Sequence, residues 1–140
     1  MTTQREKGRC LCGQVHYEID RSAVMSVHHC HCLDCQRATG SGFTTLAILP
    51  TSNFTLTGDT PSSYGTPGVS GAIITRSFCG NCGSPVYSQT SMTDELVFIK
   101  AGSLDNSDWL TLTSSFWGST ARSWAPADNS CEVHDTNPEY

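Results

Sequence analysis

The sequence predicts an all-β chain of several small antiparallel sheets, with metal-binding loops at the strand ends. Three observations point there. Apolar residues alternate over short, strand-sized runs, and no stretch keeps the 3.6-residue period of a strong amphipathic helix. Gly, Pro, Ser, Thr and Asn separate those runs, as turn residues do. Seven of the eight cysteines fall into three tight groups close to the strand candidates: Cys10-Leu-Cys12, Cys30-His-Cys32-Leu-Asp-Cys35 and Cys79-Gly-Asn-Cys82.

The elements follow in order. Residues 14–19 put Val15, Tyr17 and Ile19 on one face, the pattern of a half-buried strand. Residues 25–29 form a short strand candidate that runs into the central cysteines. Residues 32–39 have room for one helical turn before Gly40. Residues 43–49 mix Thr, Leu and Ile and read as a strand ended by Pro50. Residues 54–57 precede the Gly58-Asp59 turn signal. Residues 58–71 hold four Gly and two Pro and read as loop or loose hairpin. Residues 73–78 are a strand leading straight into Cys79. Residues 86–88 and 96–101 are strands, with 92–95 turning between them. Residues 102–109 are loop, and 110–116 alternate weakly. From about Ala125 no pattern remains. The expected organisation is one zinc-binding β domain over 1–125 and an extended C-terminal tail over 126–140.

Composition narrows the function classes. The chain has 140 residues, enough for one domain with a modest core. Only 15% of residues are charged, and polarity comes mainly from Ser, Thr, Gly and Asn, so bound metal would supplement a thin core. The net charge of −5, with Lys and Arg totalling eight, argues against a nucleic-acid reader, which needs a basic face for phosphates. The longest apolar runs, 46–49 and 96–99, fall far short of the ~20 residues of a membrane helix. The first ten residues, Met-Thr-Thr-Gln-Arg-Glu-Lys-Gly-Arg-Cys, contain no apolar signal-peptide core. A cytoplasmic, reducing location is therefore expected, where clustered cysteines bind metal rather than pair as disulfides.

The cysteine groups divide as four plus three. Cys10, Cys12, Cys79 and Cys82 form two short knuckles, each followed by glycine. Glycine there permits positive φ, so that backbone amides can turn toward the sulfurs. Four thiolates complete a closed tetrahedral site, and closing a long loop through metal adds folding energy. Cys30, Cys32 and Cys35 supply three thiolates from one loop, and the remaining Cys131 lies in the tail. The fourth position there is open to two readings: His29 as a ligand or a supporting group, or water or a substrate thiol. His31, between two ligands, is expected to point away from a metal they share.

These residues resemble a known family. The segments Gly8-Arg-Cys10-Leu-Cys12-Gly13-Gln-Val15-His-Tyr17, Cys30-His31-Cys32-Leu-Asp-Cys35-Gln36-Arg37-Ala-Thr39-Gly40-Ser41, Arg76-Ser-Phe78-Cys79-Gly-Asn-Cys82-Gly83-Ser84 and Lys100-Ala-Gly102-Ser-Leu104-Asp105 are similar to those of the glutathione-dependent formaldehyde-activating enzyme and centromere protein V family. The likeness runs from about residue 8 to residue 124, with Ser123-Trp124 where the family usually has Pro-Trp. It implies a β-tent fold. It implies a structural zinc on Cys10, Cys12, Cys79 and Cys82, and a second, catalytic zinc on Cys30, Cys32 and Cys35. It also implies a carbon–sulfur lyase (S-hydroxymethylglutathione synthase-like) that joins formaldehyde to the thiol of glutathione, with glutathione or a related thiol and an aldehyde as small-molecule partners. Glutathione carries two carboxylates, so a cationic clamp is expected. Arg37, Arg76, Lys100 and Arg122 are candidates, with Arg37 nearest the central cysteines in sequence. The stretch 39–42 could offer backbone amides to an anion. The alternative function is a non-catalytic zinc module that binds a thiol or a protein partner.

Overall fold

The computed structural model describes residues 4–137. In chain order it contains β1 (Arg5–Arg9), β2 (His16–Asp20), β3 (Ser26–Cys30), α1 (Leu33–Thr39), β4 (Thr44–Pro50), β5 (Phe54–Leu56), β6 (Ser62–Pro67), β7 (Ile73–Phe78), β8 (Pro85–Thr90), β9 (Thr93–Lys100), β10 (Ser114–Phe116) and β11 (Glu132–Val133). Strand accounts for 44% of the residues and helix for 14%, so the chain is mostly β, as its patterning predicts. It divides into two compact units. One takes the chain up to Met25 and Ala47–Trp109; the other takes Ser26–Leu46 and the chain from Leu110 onward. β4 passes from one unit into the other.

The first unit holds two antiparallel arrangements. β1, β2 and β5 lie side by side in that order, with Gly8 opposite Tyr17 and Tyr17 opposite Leu56. β2 alternates as its sequence requires: Tyr17 and Ile19 are buried, while His16, Glu18 and Asp20 are half-buried. The Tyr17 ring fills the space above Gly8, where an added Cβ would lie 2.2 Å from Tyr17 Cζ. Phe54 stacks on Tyr17 at 5.2 Å between ring centres. β1 is invisible to hydrophobic patterning because its sequence is Arg-Glu-Lys-Gly-Arg and only Gly8 is buried. Backbone pairing to β2 makes it a strand.

In the same unit β6, β7, β8 and β9 follow one another as an antiparallel meander. Val86, Tyr87, Val97 and Ile99 supply buried side chains. Of the two readings of 58–71, loop or loose hairpin, β6 answers to the hairpin. All six of its residues pair with β7, from Ser62 opposite Phe78 to Pro67 opposite Ile73. Five of the six are exposed, so no buried face imposes alternation on the sequence. Proline and glycine are tolerated because β6 pairs only along one edge.

In the second unit β10 lies between β3 and β11 and pairs with both in parallel. This departs from the antiparallel expectation. Ser114, Ser115 and Phe116 stand opposite His28, His29 and Cys30. β11 falls within the segment beyond Ala125; two residues leave too little pattern to read in advance. α1 arises where its caps dictate. Cys32 is the N-cap, its sulfur accepting from the Cys35 amide at 3.3 Å, and Gly40 closes the C-terminus at φ 70°.

Candidate metal centres

The first knuckle joins β1 to β2. The Cys10 amide donates to the Val15 carbonyl (2.9 Å) and the Val15 amide donates to Cys10 Sγ (3.3 Å). Gly13 turns the chain at φ 84° and donates to the Cys10 carbonyl (3.2 Å). The second knuckle joins β7 to β8 and repeats the design. The Cys79 amide donates to the Ser84 carbonyl (3.0 Å), the Cys82 amide donates to Cys79 Sγ (3.4 Å), and Gly83 sits at φ 80°. Leu11 of one knuckle donates its amide to Ser84 Oγ of the other at 3.0 Å. The Arg9 guanidinium donates to the carbonyls of Cys10 and Leu11 at 3.2 and 3.0 Å.

This brings Cys10, Cys12, Cys79 and Cys82 together, with all four Sγ atoms within 4.8 Å of one another. Cys10 and Cys12 are 3.6 Å apart and Cys12 and Cys79 are 3.7 Å apart. Four sulfurs about 2.3 Å from one tetrahedral ion stand ~3.8 Å apart, so the donor set fits zinc with little rearrangement. A disulfide would need about 2.05 Å, and all eight cysteines are free thiols. The electrostatics favour thiolate at Cys82 and Cys12, whereas the Cys79 pKa is raised. The Ser84 hydroxyl and amide, with the Cys12 amide, lower the Cys82 pKa to about 5. The Asn81 side chain and the Gln14 amide lower that of Cys12.

The second centre lies where β3 passes into α1. Cys30, Cys32 and Cys35 also place their sulfurs within 4.8 Å of one another, and among the described residues no histidine, carboxylate or further cysteine joins them. Cys30, Cys35 and Phe116 form a buried cluster, with Cys32 and Trp117 packed against it. The neighbouring Cys32 and Cys35 thiols, together with burial, push the Cys30 thiol far above its usual range. Three sulfurs this close cannot all ionise unless a cation compensates them, which is the condition a metal ion meets.

The histidines are accounted for separately. His28 uses both ring nitrogens, on Ser114 Oγ (2.8 Å) and Ser26 Oγ (2.7 Å). His29 Nδ1 bonds Thr45 Oγ1 at 2.8 Å, and His29 is not part of the sulfur group. His31 is fully buried against Phe43, with neither ring nitrogen partnered, and burial lowers its pKa. Cys131 belongs to neither group, and its thiol donates to the Asp128 carbonyl at 3.5 Å.

Of the cation candidates, Arg37 is exposed on α1 and Arg122 is exposed with its Nε donating to Gln36 Oε1 at 3.0 Å. Both belong to the unit that carries the three cysteines. Arg76 lies on β7 and the buried Lys100 ends β9, both in the other unit. Residues 39–42 offer less to an anion than expected. The Gly40 amide donates to the Gln36 carbonyl and the Ser41 amide to Thr39 Oγ1. Residues that spacing did not single out complete the centre. Gln36 Nε2 donates to the carbonyls of His31 (2.8 Å) and Thr120 (3.0 Å), tying the cysteine loop to the chain after β10. Phe116 and Trp117 supply the apolar contact, and only the weak alternation of 110–116 hinted at a strand there.

No curated protein sequence matches the chain. A Rhodobacter sphaeroides protein of known crystal structure shares the fold at a TM-score of 0.57 and 21% identity, over 71% of this chain and 88% of that one. The family model described as glutathione-dependent formaldehyde-activating enzyme matches residues 5–120. With both cysteine groups inside that span, the chain belongs to the glutathione-dependent formaldehyde-activating enzyme family.

Proposed function

We propose that this protein is a zinc-dependent carbon–sulfur lyase that joins and splits a thiol–aldehyde adduct, with glutathione and formaldehyde, or close relatives, as the pair. One observation carries this reading. The group Cys10, Cys12, Cys79 and Cys82 is complete at four sulfurs, whereas Cys30, Cys32 and Cys35 stop at three with no fourth ligand group among the described residues. Four sulfurs close a structural site; three leave the position that chemistry needs.

In this reading Cys10, Cys12, Cys79 and Cys82 hold the structural ion, and Cys30, Cys32 and Cys35 hold the catalytic one. Zinc bound at the second group supplies Lewis acidity, which keeps a thiol ionised near neutral pH. The chain supplies the rest. Cys32 caps α1, so its sulfur is held by the hydrogen bond that starts the helix. Gln36 braces the loop through the His31 carbonyl. Phe116 and Trp117 exclude water from one side of the sulfurs. Arg37, exposed one turn along α1, serves as a clamp for a glutathione carboxylate. In the reaction the thiol loses its proton, a C–S bond forms to the carbonyl carbon, and the former carbonyl oxygen gains a proton. Nothing is oxidised or reduced, and the reverse reaction breaks the same bond.

The test is exchange-NMR of glutathione and formaldehyde with and without the purified protein. The expected result is faster interconversion with S-hydroxymethylglutathione, lost in Cys32→Ser. Unchanged exchange with zinc-loaded wild-type protein would refute the lyase reading.

A further inference from the structure

Trp117 is the only non-glycine residue with positive φ among those described, at φ 61° and ψ 42°. An L side chain in that conformation is strained and persists only where its surroundings over-determine it. Here they do. The Trp117 amide donates to the Thr136 carbonyl (3.1 Å), and its indole Nε1 donates to Asn137 Oδ1 (2.8 Å). The Gly118 and Ser119 amides donate to the carbonyls of His134 (2.9 Å) and Asp135 (3.3 Å), and the His134 amide returns a bond to Ser115 (2.8 Å). The segment lies flush, because a Cβ on Gly118 would meet Val133 Cγ1 at 2.6 Å. Residues 132–137 are thus bound along 115–119, and the residue they hold in a strained conformation packs against the Cys30, Cys35 and Phe116 cluster. Trp117 is only half-buried, so part of its surface is available for contact.

We infer that Trp117 is the substrate-facing wall of the three-cysteine centre, that residues 132–137 are the strap that holds it there, and that the indole selects aldehydes by apolar contact. This rests on the lyase reading above. The atoms beside the reacting sulfur are carbons, one from the thiol and one from the aldehyde. A rigid indole gives them a dry surface at low entropic cost. Formaldehyde brings only hydrogens to that surface, whereas an alkyl aldehyde gains apolar contact with each methylene it buries.

Two variants separate ring from strap. Trp117→Gly removes the ring and the backbone strain together. Gly118→Ala keeps the ring and displaces the strap. Amide hydrogen exchange reads the strap independently of activity. Residues 117–119 should be protected in wild-type protein and exchange roughly tenfold faster in Gly118→Ala and in a chain ending at Val133. Unchanged protection would overturn the strap. The ratio of kcat/KM for hexanal to that for formaldehyde, with glutathione, reads the wall. It should fall roughly tenfold in both variants. An unchanged ratio in an active protein would overturn the wall while leaving the lyase reading intact. If wild-type protein turns over neither aldehyde, the lyase reading fails first. The wall is then read by cobalt-loaded protein, whose preference for hexanethiol over 2-mercaptoethanol must fall in Trp117→Gly; equal preference would overturn the inference.

Discussion

Tyr17 shows how much one buried polar group constrains this chain. Its ring is 1% exposed and covers Gly8. Ser103 donates to the Lys100 carbonyl, so the Tyr17 hydroxyl is left to donate to Ser103 Oγ, at 2.7 Å. Burial raises the phenol pKa to about 12. The unfolded phenol ionises from about pH 10 while the folded one stays neutral, so stability falls as pH rises from about 10 to 12. Between about 10 and about 12 that loss comes to about 3 kcal/mol. Urea unfolding across that window should show a shallower pH slope for Tyr17→Phe than for wild-type protein; equal slopes would contradict the assignment. At the facing position, Gly8→Ala should destabilise the fold by roughly 1–3 kcal/mol through overpacking, measured by the same unfolding curves. Tyr17 was legible in the sequence as a buried strand residue. The need for Gly8 was not, because it arises from a ring placed across the sheet.

At the scale of elements, the two knuckles and the central loop connect different parts of the chain. The first knuckle connects β1 to β2 and the second connects β7 to β8, 67 positions later as counted from Cys12 to Cys79. A metal held by both joins distant strands of one unit, so its loss is lost folding energy. The central three cysteines span one local turn between β3 and α1. Cys10→Ser and Cys82→Ser should therefore lower the melting temperature markedly, whereas Cys32→Ser should lower it much less and remove activity. Equal losses in all three would erase the division between structural and catalytic groups. β2, which has a buried face, could be read from alternation. β1 and β6 could not, since one is charged and the other exposed, and backbone pairing alone defines them. β10 and β11 were hidden for another reason: parallel pairing of two or three residues leaves almost no periodicity. The cysteine groups were legible in full because metal spacing is local in sequence. Trp117 and Gln36 were not, because their roles depend on chain segments that meet only after folding.

For the whole molecule, the expectation is two zinc ions per chain held with unequal strength. A chelator titration followed by metal analysis should release one equivalent well before the other, since four sulfurs retain metal better than three. Recovery of one equivalent would leave the four-cysteine site standing and remove the basis for a catalytic ion. The family assignment is shown by the match over residues 5–120, and the proposed chemistry is placed at the three-sulfur group. The most direct measurement is the visible spectrum of cobalt-substituted protein titrated with glutathione and, in parallel, with S-methylglutathione. Both ligands carry the same carboxylates, but only glutathione can present a thiolate. Glutathione should change the ligand-field bands as a fourth sulfur joins Cys30, Cys32 and Cys35, and S-methylglutathione should leave them unchanged. Identical spectra with the two ligands would mean that substrate sulfur does not reach the three-cysteine centre.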